Sequence, residues 1–268
     1  MAAFEQLISA AREAVEVRRR EVSQAELESR LSGRSEGRPF GQALAHPGLS
    51  LIAEFKRRSP SAGEIAPSAL VADRVGAYER GGAAALSILT DEAHFGGSLA
   101  DLRAARAASL LPILRKDFIL DPYQLYEAAD GGADAVLLIV RALDDDALRS
   151  LRDEANAIGL DCLVEVHDAT ELERALELGA ELIGINNRDL EAGTTDLATT
   201  CELMPAVPPG RTVVAESGIS TPGELARLAR VGVDAVLIGG ALMGAADPEA
   251  KAAELTGADR PVGQRRLP

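Results

Sequence analysis

The chain reads as an α/β protein whose strand–helix units close into one (βα)8 barrel behind a helical extension, and three observations carry that expectation. Its 268 residues suit one α/β barrel, which takes about 250 residues, or two ordinary domains. A phrase recurs along it: GGAAAL at 81–86, GGADAV at 131–136, LGAELI at 178–183 and VGVDAV at 231–236. Each follows a helical pattern with a Gly suited to a left-handed helix stop, a short link and an apolar strand. Strands such as AVLLIV (135–140) and AVLIG (235–239) are apolar throughout, as expected when both faces of a parallel sheet are covered. This is the TIM-barrel pattern.

Residues 1–45 precede the repeat and form a helical extension packed on the barrel as a lid or plug. FEQLISAAREAVEVRRREVS carries helical periodicity at Leu7, Ile8, Ala11, Ala14 and Val15, with a basic cluster, Arg18 to Arg20, expected on a solvated helix face. ESRLSGRSEGRPF is expected to be a loop. Within the barrel, 46–256, strands are expected to start near 51, 85, 111, 135, 161, 182, 212 and 235. The helices between them carry start signals: Asp121-Pro122, Thr221-Pro222 and Asp247-Pro248 pair a cap with a first-turn proline, and Ser98 and Asp144 are further caps. An open doubly wound sheet is disfavoured, because no GxGxxG follows the first strand. Residues 257–268 read as a polar tail.

Composition limits the function. A net charge of −14 argues against nucleic acid or an anionic membrane surface as partner. An acidic substrate must therefore be held by a local constellation. Little aromatic content and no Trp leave few stacking partners for a large planar ligand. Cys162 and Cys201 have neither metal nor disulfide spacing, and no signal peptide or membrane-length apolar run is evident, so a cytoplasmic protein is expected. His46, His94 and His167 form no metal-binding spacing, and a supporting or surface role suits them better than catalysis.

Barrel enzymes place their chemistry where strands emerge into the βα loops. Those ends read Glu54 and Lys56, Thr90, Lys116, Glu165, Asn186, then Glu216 and Ser217. Glu54 and Lys56 are two apart and share a strand face, so a carboxylate and an ammonium leave the first strand side by side. Three glutamates, two lysines and an asparagine at one mouth suit general acid–base chemistry. The loops after strands seven and eight, the usual phosphate site of such barrels, read SGIS (217–220) and GGAL (239–242). Their glycines let backbone amides approach an anion, and Ser59 in the first loop can add a hydroxyl.

IAEFKRRSPSAG, RKDFI, VEVHD, IGINNRDL, AESGI and LIGGALM, in this order and spacing, closely resemble the indole-3-glycerol-phosphate synthase family, from the N-terminal helix to about residue 255. The resemblance implies ring closure of 1-(2-carboxyphenylamino)-1-deoxyribulose 5-phosphate to indole-3-glycerol phosphate, with loss of carbon dioxide and water. That reaction is a step of tryptophan biosynthesis and uses no cofactor and no metal. The implied catalytic residues are Glu54, Lys56, Lys116, Glu165, Asn186, Glu216 and Ser217. Implied phosphate contacts are Ser59, Gly218, Gly239 and Gly240, with Arg188 nearby, while Pro60, Phe118 and Leu137 match the apolar wall around the anthranilate ring. Gly240 stands where many members carry Glu or Ser. Two other readings stay open on the sequence alone. A sugar-phosphate isomerase acting one step earlier would be expected to have a Cys at the first strand end, where this chain has Ala53-Glu54. A non-catalytic phosphate-binding barrel would not need two lysines and three carboxylates at its mouth.

Overall fold

A computed structural model describes residues 2–32, 37–189 and 193–257. Eight parallel strands close the barrel: β1 (Ser50–Phe55), β2 (Ala85–Leu89), β3 (Ile113–Lys116), β4 (Ala135–Ile139), β5 (Asp161–Val166), β6 (Leu182–Asn186), β7 (Thr212–Glu216) and β8 (Ala235–Ile238). Each strand pairs with its sequence neighbour, and β1 closes on β8 with Ser50 opposite Ala235 and Ala53 opposite Ile238. The expected starts agree to within two residues. The largest slip is at β3, which begins at Ile113 because Pro112 has no N–H to give the ladder.

Helices cover the outside, and the expected stops and starts are in place. Gly82, Gly132, Gly179 and Gly232 take φ of 87°, 87°, 83° and 90°, turning the chain from each helix toward the next strand. Asp121 and Thr221 form full capping boxes with Gln124 and Glu224, and Ser98, Asp144 and Asp247 each accept an amide of the following turn. Side-chain alternation then splits the apolar residues in two. Leu51, Ala53, Leu86, Ile113, Val136, Val164, Ile183, Val213 and Val236 face outward under the helices. Ile52, Ala85, Leu114, Leu137, Leu163, Leu182, Val214 and Leu237 face inward and fill the barrel axis.

The extension supplies three helices, α1 (Ala2–Glu21), α2 (Gln24–Leu31) and α3 (Phe40–Leu44). Phe40 and Leu44 are fully buried against the inward set, and the Gly41 amide donates to Asp161 at the start of β5, so α3 stoppers the bottom of the barrel. At the other end, the Phe4 ring of α1 meets Phe118 edge-on at 6.3 Å between centroids. Three sequence expectations need correction. Glu28–Leu31 is helical rather than loop, because Ser23 caps α2 by accepting the Glu26 amide; residues 33–36 of that segment lie outside the described residues. Ala14 is exposed, the buried stripe of α1 running through Phe4, Ala11 and Val15. Nor is the basic cluster simply solvated. Arg18 donates to both oxygens of Glu127, at 2.6 and 3.0 Å, and Arg19 pairs with Asp121, which fastens α1 to the helix Pro122–Asp130. All but Gly257 of the polar tail lies outside the described residues.

Arg115 is the largest fully buried side chain. It points outward from β3 and donates to Thr90 Oγ1, Asp117 Oδ2, Glu127 Oε2 and the Gln124 carbonyl. Removing one member of a buried ion network strands the others without water, which costs about 3–5 kcal/mol. Arg115→Met is therefore expected to lower the unfolding free energy by about that amount, read as a fall in the urea midpoint. Arg18→Ala, whose side chain is 29% exposed, should cost less, because water reaches the vacated side of Glu127.

Candidate active site

Every candidate residue except Thr90 lines one cavity of about 670 Å³ at the C-terminal mouth of the barrel. The reason is periodicity. The inward column of five strands is apolar low in the barrel and turns polar as it climbs: Ile52 then Glu54 then Lys56, Leu114 then Lys116, Leu163 then Glu165, Leu182 then Gly184 then Asn186, Val214 then Glu216. The strand ends thus converge without any long-range instruction beyond closure of the sheet.

The charges pair within and between strands. Lys56 Nζ donates to Glu54 Oε1 at 2.5 Å. Lys116 Nζ donates to Glu165 Oε2 at 2.7 Å and lies 3.2 Å from Glu216 Oε2. Burial works to lower the Lys116 pKa, but Glu165, Glu216 and Glu54 outweigh it and hold the ammonium well above its usual range. For Glu165, burial pushes up while Lys116 and His167 pull down more strongly, so it is held as a carboxylate. Glu216 moves the other way. Burial and the neighbouring Glu165 charge raise it against the pull of Lys116, and its Oε1 is buried with no hydrogen-bond partner among the described residues. Two carboxyl groups on one ammonium are thus driven apart, one charged and one inclined to keep a proton.

The opposite rim is built from glycine-rich loops. Ser217, with φ of 67°, and Gly218, with φ of 74°, are successive left-handed residues, and Ser217 is the one non-glycine in that region among the described residues. A side chain at Gly218 would also put its Cβ 2.5 Å from Thr195 Cγ2. Ser220 and Thr221 give their amides to Glu224, while Gly218 and Ile219 line the cavity. Gly240 opens the short helix Gly240–Met243, with open space where a Cβ would stand. Ser59 sits in a small hairpin, Arg58–Ser59 against Gly63–Glu64, and Arg188 reaches the cavity from the loop after β6. Phe118, Leu137 and Pro60 line the wall between, joined by Leu7 of α1, Ile139 and Leu237.

Sequence reasoning placed one residue wrongly and missed others. Thr90 does not line the cavity: its hydroxyl donates to Asp117 at 2.6 Å and accepts from Arg115. Asn187, buried beside Asn186, ties β6 to β7 by donating to the Glu216 and Ser217 carbonyls while accepting from Thr200. Gly184 and Gly239 clear space for charged neighbours, since a Cβ would fall 2.3 Å from Glu216 Oε1 at the first and 2.2 Å from Glu54 Oε1 at the second. For Gly184, a glycine on an inward column two residues below Asn186 is the signal that was available; Gly239 was already expected as a phosphate contact, and clearance for Glu54 is what the sequence did not show. Among the histidines, His46 is exposed and His94 sits beside Asp91, whereas His167 is buried against Glu165. Cys162 and Cys201 are free thiols outside the cavity. No group of three or more His, Cys, Asp or Glu side chains suited to a metal ion is present among the described residues.

The architecture has close counterparts. The 3-hexulose-6-phosphate synthase of Salmonella typhimurium superposes with a TM-score of 0.63 at 18% identity, over 78% of this chain and 98% of that one. Thiamine phosphate pyrophosphorylase from Pyrococcus furiosus gives 0.60 at 20%, over 78% and 95%. At such identities these matches speak for the barrel alone. Sequence relatives say more. The indole-3-glycerol phosphate synthase of a Nocardioides species is 55% identical over 79% of this chain and 82% of its own. That of a Parafrankia species is 46% identical over 95% of both chains, and that of Streptomyces griseus is 45% identical over 96% of both. The family model for indole-3-glycerol phosphate synthase matches residues 4–255, and the chain belongs to that family.

Proposed function

We propose that the cavity performs the family's ring closure, converting 1-(2-carboxyphenylamino)-1-deoxyribulose 5-phosphate to indole-3-glycerol phosphate in the tryptophan pathway, in the cytoplasm. The observation that carries the reading is the Lys116 ammonium held 2.7 and 3.2 Å from two carboxyl groups whose proton affinities differ, facing glycine loops across an apolar wall. The phosphate fits the amides of Gly218, Gly239 and Gly240, with Ser59 and Arg188 on its flank. Phe118, Leu137 and Pro60 pack the anthranilate ring.

Ring closure joins the carboxyl-bearing aromatic carbon to the ribulose carbonyl carbon, and the carbonyl oxygen must gain a proton as the bond forms. Lys116 supplies it. Lys56 faces the substrate carboxylate, whose departure as carbon dioxide returns the bonding pair to the ring and restores aromaticity. Dehydration then needs an acid for the leaving hydroxyl and a base for a proton of the new ring. Glu165, held ionised, is the base, and Glu216, inclined to keep its proton, is the acid or donor. Glu54 orients both lysines. Asn186 and Ser217 hold the hydroxyl-bearing carbon between these groups. No cofactor or metal takes part, and no nucleic acid is a partner. Among the described residues no helix is long and apolar enough to cross a membrane.

Purified protein given the carboxyphenylamino substrate is expected to generate indole fluorescence, and its failure to do so would overturn the reading. Lys116→Met should lower kcat by at least about a hundredfold with the fold intact. The phosphate site is tested best at Arg188 and Ser59, because Asp at Gly218 or Gly239 would collide with Thr195 or Glu54, and at Gly240 many family members already carry a carboxylate. Arg188→Ala with Ser59→Ala should raise KM about tenfold to a hundredfold, the worth of a charged hydrogen bond, and blunt competitive inhibition by inorganic phosphate. Gly240→Ala, with nothing within 4 Å of its new Cβ, should leave both unchanged, and equal inhibition of all three proteins would place the anion elsewhere. Prolonged EDTA treatment should leave turnover unchanged; a loss restored by zinc or magnesium would refute the metal-free reading.

A further inference from the structure

We propose that His167 is a positioning residue for Glu165: an imidazolium clamped between two carboxylates, it fixes Glu165 toward Lys116 and keeps it ionised once Lys116 has given up its proton. The inference rests on the reaction assigned above and adds to it a group that no part of that scheme uses.

Geometry carries the argument. His167 lies two residues beyond Glu165, on the same inward column, with only 4% of its side chain exposed. Its Nε2 is 3.3 Å from Glu165 Oε1, and its Nδ1 is 2.9 Å from Glu171 Oε2. A neutral imidazole has one N–H and one lone pair. The Nδ1–H tautomer would therefore leave the Nε2 lone pair 3.3 Å from a carboxylate oxygen, and the Nε2–H tautomer would aim one at Glu171, in a site that water barely reaches. Only the imidazolium sets a positive charge against both carboxylates: Nδ1–H donates to Glu171, and the contact with Glu165 is an ion pair in which Nε2 lacks hydrogen-bond alignment. Glu171 is itself fixed in place, since it also accepts the His167 amide at 2.8 Å and its Oε1 accepts from Arg141 Nε at 2.7 Å. The result is a row of alternating charge, Lys116, Glu165, His167, Glu171 and Arg141, running from the cavity into the barrel wall.

The row divides Glu165 between two cations, Oε2 to Lys116 and Oε1 to His167. When Lys116 protonates the substrate it becomes neutral, and without a second cation Glu165 would be a desolvated carboxylate with no counter-charge. His167 remains, so Glu165 stays a base for the later proton abstraction. The other charged groups around the pair are Glu216 on β7, Asp168 at the cap of the next helix, and Glu5 and Arg12 of α1, which border the same second cavity as Arg141 and Glu171. Burial works against the imidazolium, but the bonds and charges of Glu165 and Glu171 prevail and raise its pKa to about 9. Because the folded value lies above the usual 6.5, the clamp's contribution to stability is complete below about 6.5 and is lost as pH rises through about 9.

The test combines a titration with kinetics. In the wild-type protein, the NMR titration of the His167 ring should place its pKa near 9, and kcat should fall on an alkaline limb that follows it. His167→Gln keeps a hydrogen-bond donor without the charge. It should lower kcat tenfold or more with KM nearly unchanged, and the alkaline limb should vanish. Glu171→Gln should leave His167 in place and move both the titration and the limb to lower pH. A His167 pKa at or below 6.5, or a His167→Gln enzyme with normal kcat and an unaltered pH profile, would overturn the proposal. A wild-type protein that makes no indole would instead overturn the assigned reaction, and the titration would then decide the clamp by itself.

Discussion

Closure of the sheet is the constraint from which the site follows. In a closed barrel the inward side chains have only one another for neighbours. Low in the barrel that demand is met by Ile52, Leu114, Leu163 and Val214, which fill the axis with apolar volume. At the mouth the same columns carry charge, and each charge must find its counter-charge on its own column or a facing one. Glu54 has Lys56, and Glu165 has Lys116 and His167. The ion pairs are thus the condition for placing ionisable groups there at all, since an unpaired buried charge would cost several kcal/mol.

The wall behind β3 obeys the same rule on its outer face. Arg115, Asp117, Thr90 and Glu127 form a satisfied polar network around the strand whose inward end is Lys116, and Arg18 of α1 joins it at Glu127. The strand that presents the proposed acid is therefore held from outside by charge and from inside by packing. Glycine completes the arrangement from the other direction: at Gly184 and Gly239 any side chain would occupy the volume taken by Glu216 or Glu54.

Much of this was legible in the sequence because its signals are local. A Gly after a helix, a short link and an apolar run define a strand within a few residues of itself, and period two then says which residues share a face. The strand ends that form the mouth follow from those two facts. What escaped depends on distance along the chain. Arg18 looked like part of a solvated face because its partner, Glu127, is 109 positions away. Thr90, by contrast, follows the strand Ala85–Leu89 on the outward column of Leu86 and Ile88, so period two already placed it outside the mouth, where Arg115 and Asp117 bind its hydroxyl. His167 read as a supporting residue from spacing alone; that it touches Glu165 depends on Glu171 reaching back from the next helix.

The pairing of Lys56 with Glu54 bears on how such a site handles a substrate that loses its own charge. Under the proposed roles, the substrate carboxylate competes with Glu54 for Lys56 in the ground state, so the attraction to the enzyme is partly offset before reaction. As carbon dioxide forms, the carboxylate's charge passes into the ring, and Lys56 is left with Glu54, 2.5 Å away. The lysine is never without a counter-ion, and the departing group is not held more tightly than it need be. Interactions that strengthen away from the ground state are the ones that accelerate chemistry. An internal carboxylate that releases the cation to the substrate and takes it back supplies that difference without moving the backbone, which closure of the barrel would in any case resist.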